Sequence, residues 1–259
     1  MSEKKPALWL RIYTLIVYGY IYLPILILVV FSFNTMKLNI RWQGFTLAWY
    51  DKLFHDQQVW LATRNTLLIA FIATLVSTIF GTLAALALQR YRFPGYNASE
   101  TVLYIPVVIP EVVMGISLLF FFSLFKFTLG LTTITLSHIA FCIPFVALVV
   151  RARLHGYDKA IEEASMDLGA NELITFWRVT LPTIMPGVLS GAMLAFTLSL
   201  DDYVITYFTA GPGSTTLPLR IFSMVRHAVT PEVNALSTIW VLTVFALLFI
   251  GEVFRRRQT

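Results

Sequence analysis

The sequence is short of charge. Of its 259 residues, 13% are charged and 58% hydrophobic, against about 25% charged in an average soluble domain, so much of the chain is poorly suited to face water. It has one cysteine, Cys142, set in an apolar run, which excludes a disulfide framework and a thiolate metal site. It has no GxxxxGK[ST] and no Gly-Lys pair, which excludes nucleotide binding by a P-loop. HExxH, GxSxG and Cys/His clusters are absent, and His55, His138, His155 and His227 are dispersed. Each histidine reads as structural, and an enzyme has little to stand on. The formal net charge of +5 does not point to nucleic acid, because the cations sit at the edges of apolar runs and form no basic stripe.

What the sequence does have is long hydrophobic runs. A bilayer core of about 30 Å takes roughly 20 apolar residues in a helix. Six runs are long enough: Ile12 to Phe33, Ala62 to Leu88, Val102 to Phe125, Leu131 to Val150, Gly187 to Phe208 and Ala235 to Phe254. The chain is therefore expected to be an all-α, polytopic membrane protein with six transmembrane helices. Lys4, Lys5 and Arg11 precede the first run as in a signal peptide, but no small-residue cleavage site follows Phe33, so it reads as a retained first span. With the N-terminus inside, 12 of the 19 Lys and Arg residues fall on the inner side. The clusters Arg90/Arg92, Arg151/Arg153 and Arg255/Arg256/Arg257 lie at span ends, and this bias places both termini in the cytoplasm.

Three connections are longer than turns. The outer segment Asn34 to Leu61 carries Trp42, Trp49, Tyr50 and Trp60, which read as an interfacial anchor. The outer segment Thr209 to Asn234 has a Gly/Pro turn, then Leu219, Phe222, Met224 and Val225 at roughly helical spacing before Pro231, which predicts a short amphipathic helix. Asn65 reads as a residue at the start of the second span. The inner segment Arg151 to Pro186 is solvated, with Asp158, Glu162, Glu163, Asp167 and Glu172. There, Tyr157 to Leu168 is predicted helical, with Ala160, Ile161, Ala164 and Leu168 on one side and Gly169 closing it in a left-handed conformation. Asn171 caps a second helix with Glu172 in its first turn, and Pro182 is expected to end it near Leu181.

Written out, this hairpin is Glu163-Ala164-Ser165, three residues, Gly169, nine residues, Val179, one residue, Leu181-Pro182. It resembles the EAA loop (EAA, x3, G, x9, I, x, LP) of the membrane subunits of binding-protein-dependent ABC importers, with Ser for the last small residue and Val for Ile. WQGFTLAWY, LSHIAFCIPFV, LDDYVITYF and TPEVNAL extend the likeness over nearly the whole chain to the permeases of spermidine/putrescine importers, particularly the second of the two. The resemblance implies a type I importer in the bacterial inner membrane. Two related permease subunits would stand above a dimer of ATPase subunits, which hold ATP and Mg, and below a periplasmic polyamine-binding protein. This chain would need no cofactor. Glu163, Ala164 and Gly169 would dock the hairpin on the ATPase. On this reading residues 1–60 are the first helix and a periplasmic loop, 61–254 the transport domain with its hairpin at about 151–186, and 255–259 a basic cytoplasmic tail.

A carboxylate inside a span is a functional hypothesis by default, and there are three: Glu111, Asp201 and Asp202. Glu111 follows Pro106 and Pro110 in YIPVVIPEVVMG, where the prolines remove backbone donors and break the helix. In the fifth span Ser199, Asp202, Thr206 and Thr209 share one predicted helical stripe, and Asp201 lies about 100° around it. Tyr203 and Tyr207 form an i, i+4 pair. Carboxylates, hydroxyls and rings suit a polyamine, whereas an anion would want arginines or helix N-termini. The same aspartates could instead hold a neighbouring subunit. Two rival functions are an importer of another cargo, such as a metal, an anion or an amino acid, and an ion-coupled secondary carrier. The hairpin weighs against the carrier, which has no ATPase to dock.

Overall fold

The computed structural model describes residues 8–37 and 40–256; Lys4, Lys5 and Arg257, counted in the charge bias, lie outside them. In chain order the helices are α1 (Leu8–Phe31), α2 (Ala48–His55), α3 (Gln57–Arg90), α4 (Tyr96–Val108), α5 (Glu111–Leu124), α6 (Leu131–Leu154), α7 (Ala160–Asp167), α8 (Glu172–Thr175), α9 (Leu181–Asp201), α10 (Val204–Thr209), α11 (Leu217–His227) and α12 (Pro231–Arg256). α11 answers to the amphipathic helix predicted after the Gly/Pro turn. A π-helical turn, Phe176–Thr180, joins α8 to α9.

Among the described residues four helices are long and apolar enough to cross a membrane: α1, α3, α6 and the continuous Glu172–Asp201. The pair α4 and α5 makes a fifth if counted as one span, bent by 113°. The expected count of six spans is not matched among the described residues, while the break in the third is the one its prolines lead one to expect. Ile109 is extended at φ −72°, ψ 136°, as a residue before proline should be, and Pro110 follows at φ −57°, ψ 136°. The fifth span also ends earlier than expected, at Asp201. The second hairpin helix does not stop near Leu181. The π turn lets the Leu181 N–H reach Phe176 O, and Pro182 sits in the first turn of α9, where a missing donor is tolerated.

The chain forms two compact units, Met1–Gln57 with Ile221–Thr243, and Gln58–Arg220 with Val244–Thr259. In the first, no α1 residue is buried. The loop after it folds around the fully buried Asn34, whose Oδ1 accepts the Gln43 N–H at 2.9 Å and whose Nδ2 donates to Arg41 O at 2.8 Å. The Trp49 indole donates to Asn34 O, and Tyr50 stacks on Phe33. Two of the supposed anchor aromatics therefore build the loop itself. In the second unit α6 is the spine: Phe141, Cys142, Val146, Ala147, Val150 and Leu154 are buried with Ala85 and Leu86 of α3, Ile184 and Ala195 of α9, and Ile205 of α10. Asn65 lies inside α3, not at its start, and donates from Nδ2 to Thr215 O at 3.0 Å.

Candidate functional site

The fifth span breaks where its two aspartates stand. α9 ends at Asp201, and Asp202, at φ −62° and ψ 122°, is already extended. Its carboxylate then caps α10: Oδ1 accepts from Ile205 N at 3.3 Å, and Oδ2 from Thr206 N and Thr206 Oγ1, each at 2.8 Å. Asp occupies such a position because its short side chain reaches the free amides of the next turn. The predicted stripe through Ser199, Asp202, Thr206 and Thr209 thus does not run along one helix. All four are nonetheless buried, and three of them, Ser199, Asp202 and Thr206, reach a group that the sequence pattern left as structural.

That group is His138 of α6. Its Nδ1 lies 2.7 Å from Ser199 Oγ, and its Nε2 lies 2.9 Å from Thr206 Oγ1 and 3.2 Å from Asp202 Oδ2. A neutral imidazole protonated on Nε2 satisfies every member: Ser199 donates to Nδ1, Nε2 donates to Thr206, and Thr206 donates to Asp202. Thr133 Oγ1 at the start of α6 also donates to Thr209 O at 2.7 Å. Polar groups in a span pair with one another; matching His138 against the aspartates by depth was the signal available, and a separation of 64 positions along the chain hid it.

Asp201 is exposed, as is Glu111 at the first position of α5, where the helix dipole favours a carboxylate. α5 packs on α10, and a Cβ on Gly115 would lie 2.6 Å from the Phe208 ring, so only glycine permits this approach. The approach brings Glu111 within electrostatic range of Asp201. Tyr203 is half-buried and Tyr207 exposed, their ring centroids 5.7 Å apart. The structure therefore gathers Asp201, Glu111, Tyr203 and Tyr207 at two helix breaks and sets Asp202 and Thr206 behind them. Among the described residues no cluster of three or more His, Cys, Asp or Glu could hold a metal ion.

The turn of the hairpin is built as its sequence suggests, although its first helix begins at Ala160 and not at Tyr157. Gly169 takes φ +91°, Gly169 N donates to Met166 O, and Ala170 N donates to Ser165 O, which together close α7 in a Schellman motif. Asn171 caps α8 by accepting the Ile174 N–H at 2.8 Å. Several of the hairpin's large apolar side chains face outward, Leu168 being 91% exposed, Leu173 67% and Trp177 61%, while Phe176 packs against the core. Glu163, Ala164 and Gly169 are exposed with them.

Residues 77–258 match the family described as binding-protein-dependent transport system inner membrane component. The chain belongs to this family. It is therefore a multi-pass membrane permease subunit. It is 42% identical over 243 residues to the spermidine/putrescine transport system permease protein PotC of Haemophilus influenzae, covering 94% of this chain and 95% of that one. It is 44% identical over 238 residues to the putrescine transport system permease protein PotI of Escherichia coli K12, covering 89% and 85%. The fold is that of a type I ABC importer: a bacterial ABC transporter chain involved in alginate import superposes with a TM-score of 0.76 at 19% identity, covering 96% of this permease and 95% of that chain.

Proposed function

We propose that this permease subunit forms half of the pathway of an ATP-driven importer of spermidine or putrescine. The observation that carries this is the pair of exposed carboxylates, Asp201 and Glu111, each standing where a membrane span breaks, with the Tyr203 and Tyr207 pair just after Asp201. A polyamine is a flexible chain of ammonium groups. Each carboxylate attracts one ammonium, and a ring face adds about 2 kcal/mol or more when the contact is desolvated. Broken helices bring irregular backbone to membrane depth, which is stable where it lines a cavity. Asp202 and Thr206 serve the pathway from behind, by holding the break open. The names of the PotC and PotI relatives support the same cargo class.

The remaining parts follow from this reading. A homologous permease supplies the other half of the pathway, a periplasmic binding protein delivers the cargo, and a dimer of ATPase subunits binds ATP and Mg. The hairpin, with Glu163, Ala164 and Gly169 on its exposed face, docks on the ATPase. Closure of the ATPase then moves the spans as rigid bodies between outward-open and inward-open states. The Lys and Arg bias supports an inner-membrane orientation with both termini in the cytoplasm.

The test is uptake of labelled putrescine and spermidine by vesicles carrying the assembled complex, with the co-purifying subunits identified. The wild type is expected to take up at least one of them. Asp201→Asn with Glu111→Gln should lower uptake about tenfold, the equivalent of about 1.4 kcal/mol, while the complex assembles normally. Unchanged uptake in that variant would sink the pathway assignment, and uptake of a different solute by the wild type would make this the same machine with another cargo.

A further inference from the structure

The two neighbouring glutamates of α7 differ in setting. Glu163 is exposed, while the Glu162 side chain is 15% exposed and its Oε1 is shared by two residues far away in the chain. Arg90, the last residue of α3, pairs with it through Nη2. Thr180, the last residue of the π turn and fully buried, donates to it from Oγ1 at 2.6 Å, and Arg90 Nη2 lies 3.2 Å from the same hydroxyl. One carboxylate oxygen thus joins the hairpin helix, a membrane-spanning helix and the base of α9.

The setting makes this junction mechanical. No residue of α7 is buried, so the helix has little apolar grip on the rest of its unit; besides a hydroxyl contact between Ser165 and Thr175 at 3.2 Å, the charge-assisted bond of Glu162 is its directional tie to the membrane helices. The other end of α3 is held by Asn65 to Thr215 O, and by Thr66 Oγ1, which accepts the Leu217 N–H at 2.8 Å. α9, above the π turn, runs without a break to Asp201. A π turn inside a helix shifts the register of its hydrogen bonds and is a frequent feature of functional sites.

We propose that Arg90, Glu162 and Thr180 are positioning residues that transmit displacement of the hairpin to α3 and to the broken α9–α10 span, coupling ATP hydrolysis on the partner to transport. This rests on the docking of the hairpin under the proposed function. Glu163 receives the motion from outside, and Glu162 passes it inward. Tyr157 lies beside the junction, and burial pushes its hydroxyl pKa up, so it stays neutral there and adds no competing charge.

The assembled complex in vesicles, with loaded binding protein, tests this when uptake and ATP hydrolysis are measured on the same preparation. Glu162→Gln and Arg90→Gln should each lower the polyamine moved per ATP about fivefold, within the range of coupling effects in other proteins, with assembly and Tm near wild type. The double variant should be no worse than either single one, since both remove one interaction. The exchanged pair, Arg90→Glu with Glu162→Arg, should recover part of the ratio. Thr180→Ser should retain coupling and Thr180→Val should lose it. Uptake and hydrolysis falling in the same proportion, or not at all, overturns the proposal. If the single variants fail to assemble, the exchanged pair decides: a recovered ratio supports transmission, and failure to recover it, or to assemble, leaves a purely structural contact. A wild-type complex that imports another solute overturns the polyamine reading and leaves the ratio measurable with that solute, whereas a chain with no ATPase partner overturns both.

Discussion

Asp201 and Asp202 are adjacent in the chain and opposite in setting. A carboxylate at the centre of a span costs roughly 2.5 to 3.5 kcal/mol on insertion scales, and for Asp202 the offset is internal: two backbone amides, the Thr206 hydroxyl and His138 all reach it. Removing one member of a buried, hydrogen-bonded pair strands the other. Asp202→Ala is therefore expected to destabilise the fold by about 2 kcal/mol, because the buried amides and the Thr206 hydroxyl lose their acceptor, with His138→Ala lowering stability in the same direction. Asp201→Ala should stay within about 0.5 kcal/mol, as exposed substitutions do. Thermal denaturation of the assembled complex checks the contrast, and equal Tm losses at the two positions would mean that Asp202 has no such role. The presence of two unusual carboxylates was legible in the sequence. Their division of labour was not, because it depends on α9 ending after Asp201, one residue earlier than a helical stripe through Asp202 requires.

Among the elements, the breaks position the candidate carboxylates. Pro110 ends α4 and forces the 113° bend that sets Glu111 at a helix start, and this break was legible because proline acts locally. Pro182 looked like the same kind of stop, yet the chain runs through it by inserting a π turn, since packing of α9 against α6 favours a continuous helix over the local preference. Around Gly169 the hairpin does follow its local sequence. Its turn depends on Gly169 at φ +91°, so Gly169→Ala should weaken it by about 1 kcal/mol, and Asn171→Ala should cost a similar amount by removing the cap. Both should speed limited proteolysis between Leu168 and Asn171 while leaving the membrane helices intact; an unchanged cleavage rate would show that another contact sets the turn.

On the scale of the whole molecule, the described surface is apolar along the membrane helices and, away from them, on the hairpin. α1, with no buried residue, has the composition of a helix meant for lipid or another subunit. The hairpin exposes Leu168, Leu173 and Trp177 beside acidic side chains, and two-faced apolar and charged surfaces of this sort mark protein contacts. Glu163→Ala is accordingly expected to reduce co-purification of the ATPase subunit and uptake together, measured on complexes pulled down through this chain, and wild-type levels of both would refute docking at Glu163. Membrane class, the helical hairpin and the positions of the unusual carboxylates were readable from residues alone, because hydrophobic length, caps and proline breaks act over a few neighbours. The pairing of His138 with Asp202, the closure of Arg90 and Thr180 on Glu162, and the approach of Glu111 to Asp201 were settled by tertiary structure, because each depends on helices far apart in sequence being packed at one depth and one rotation.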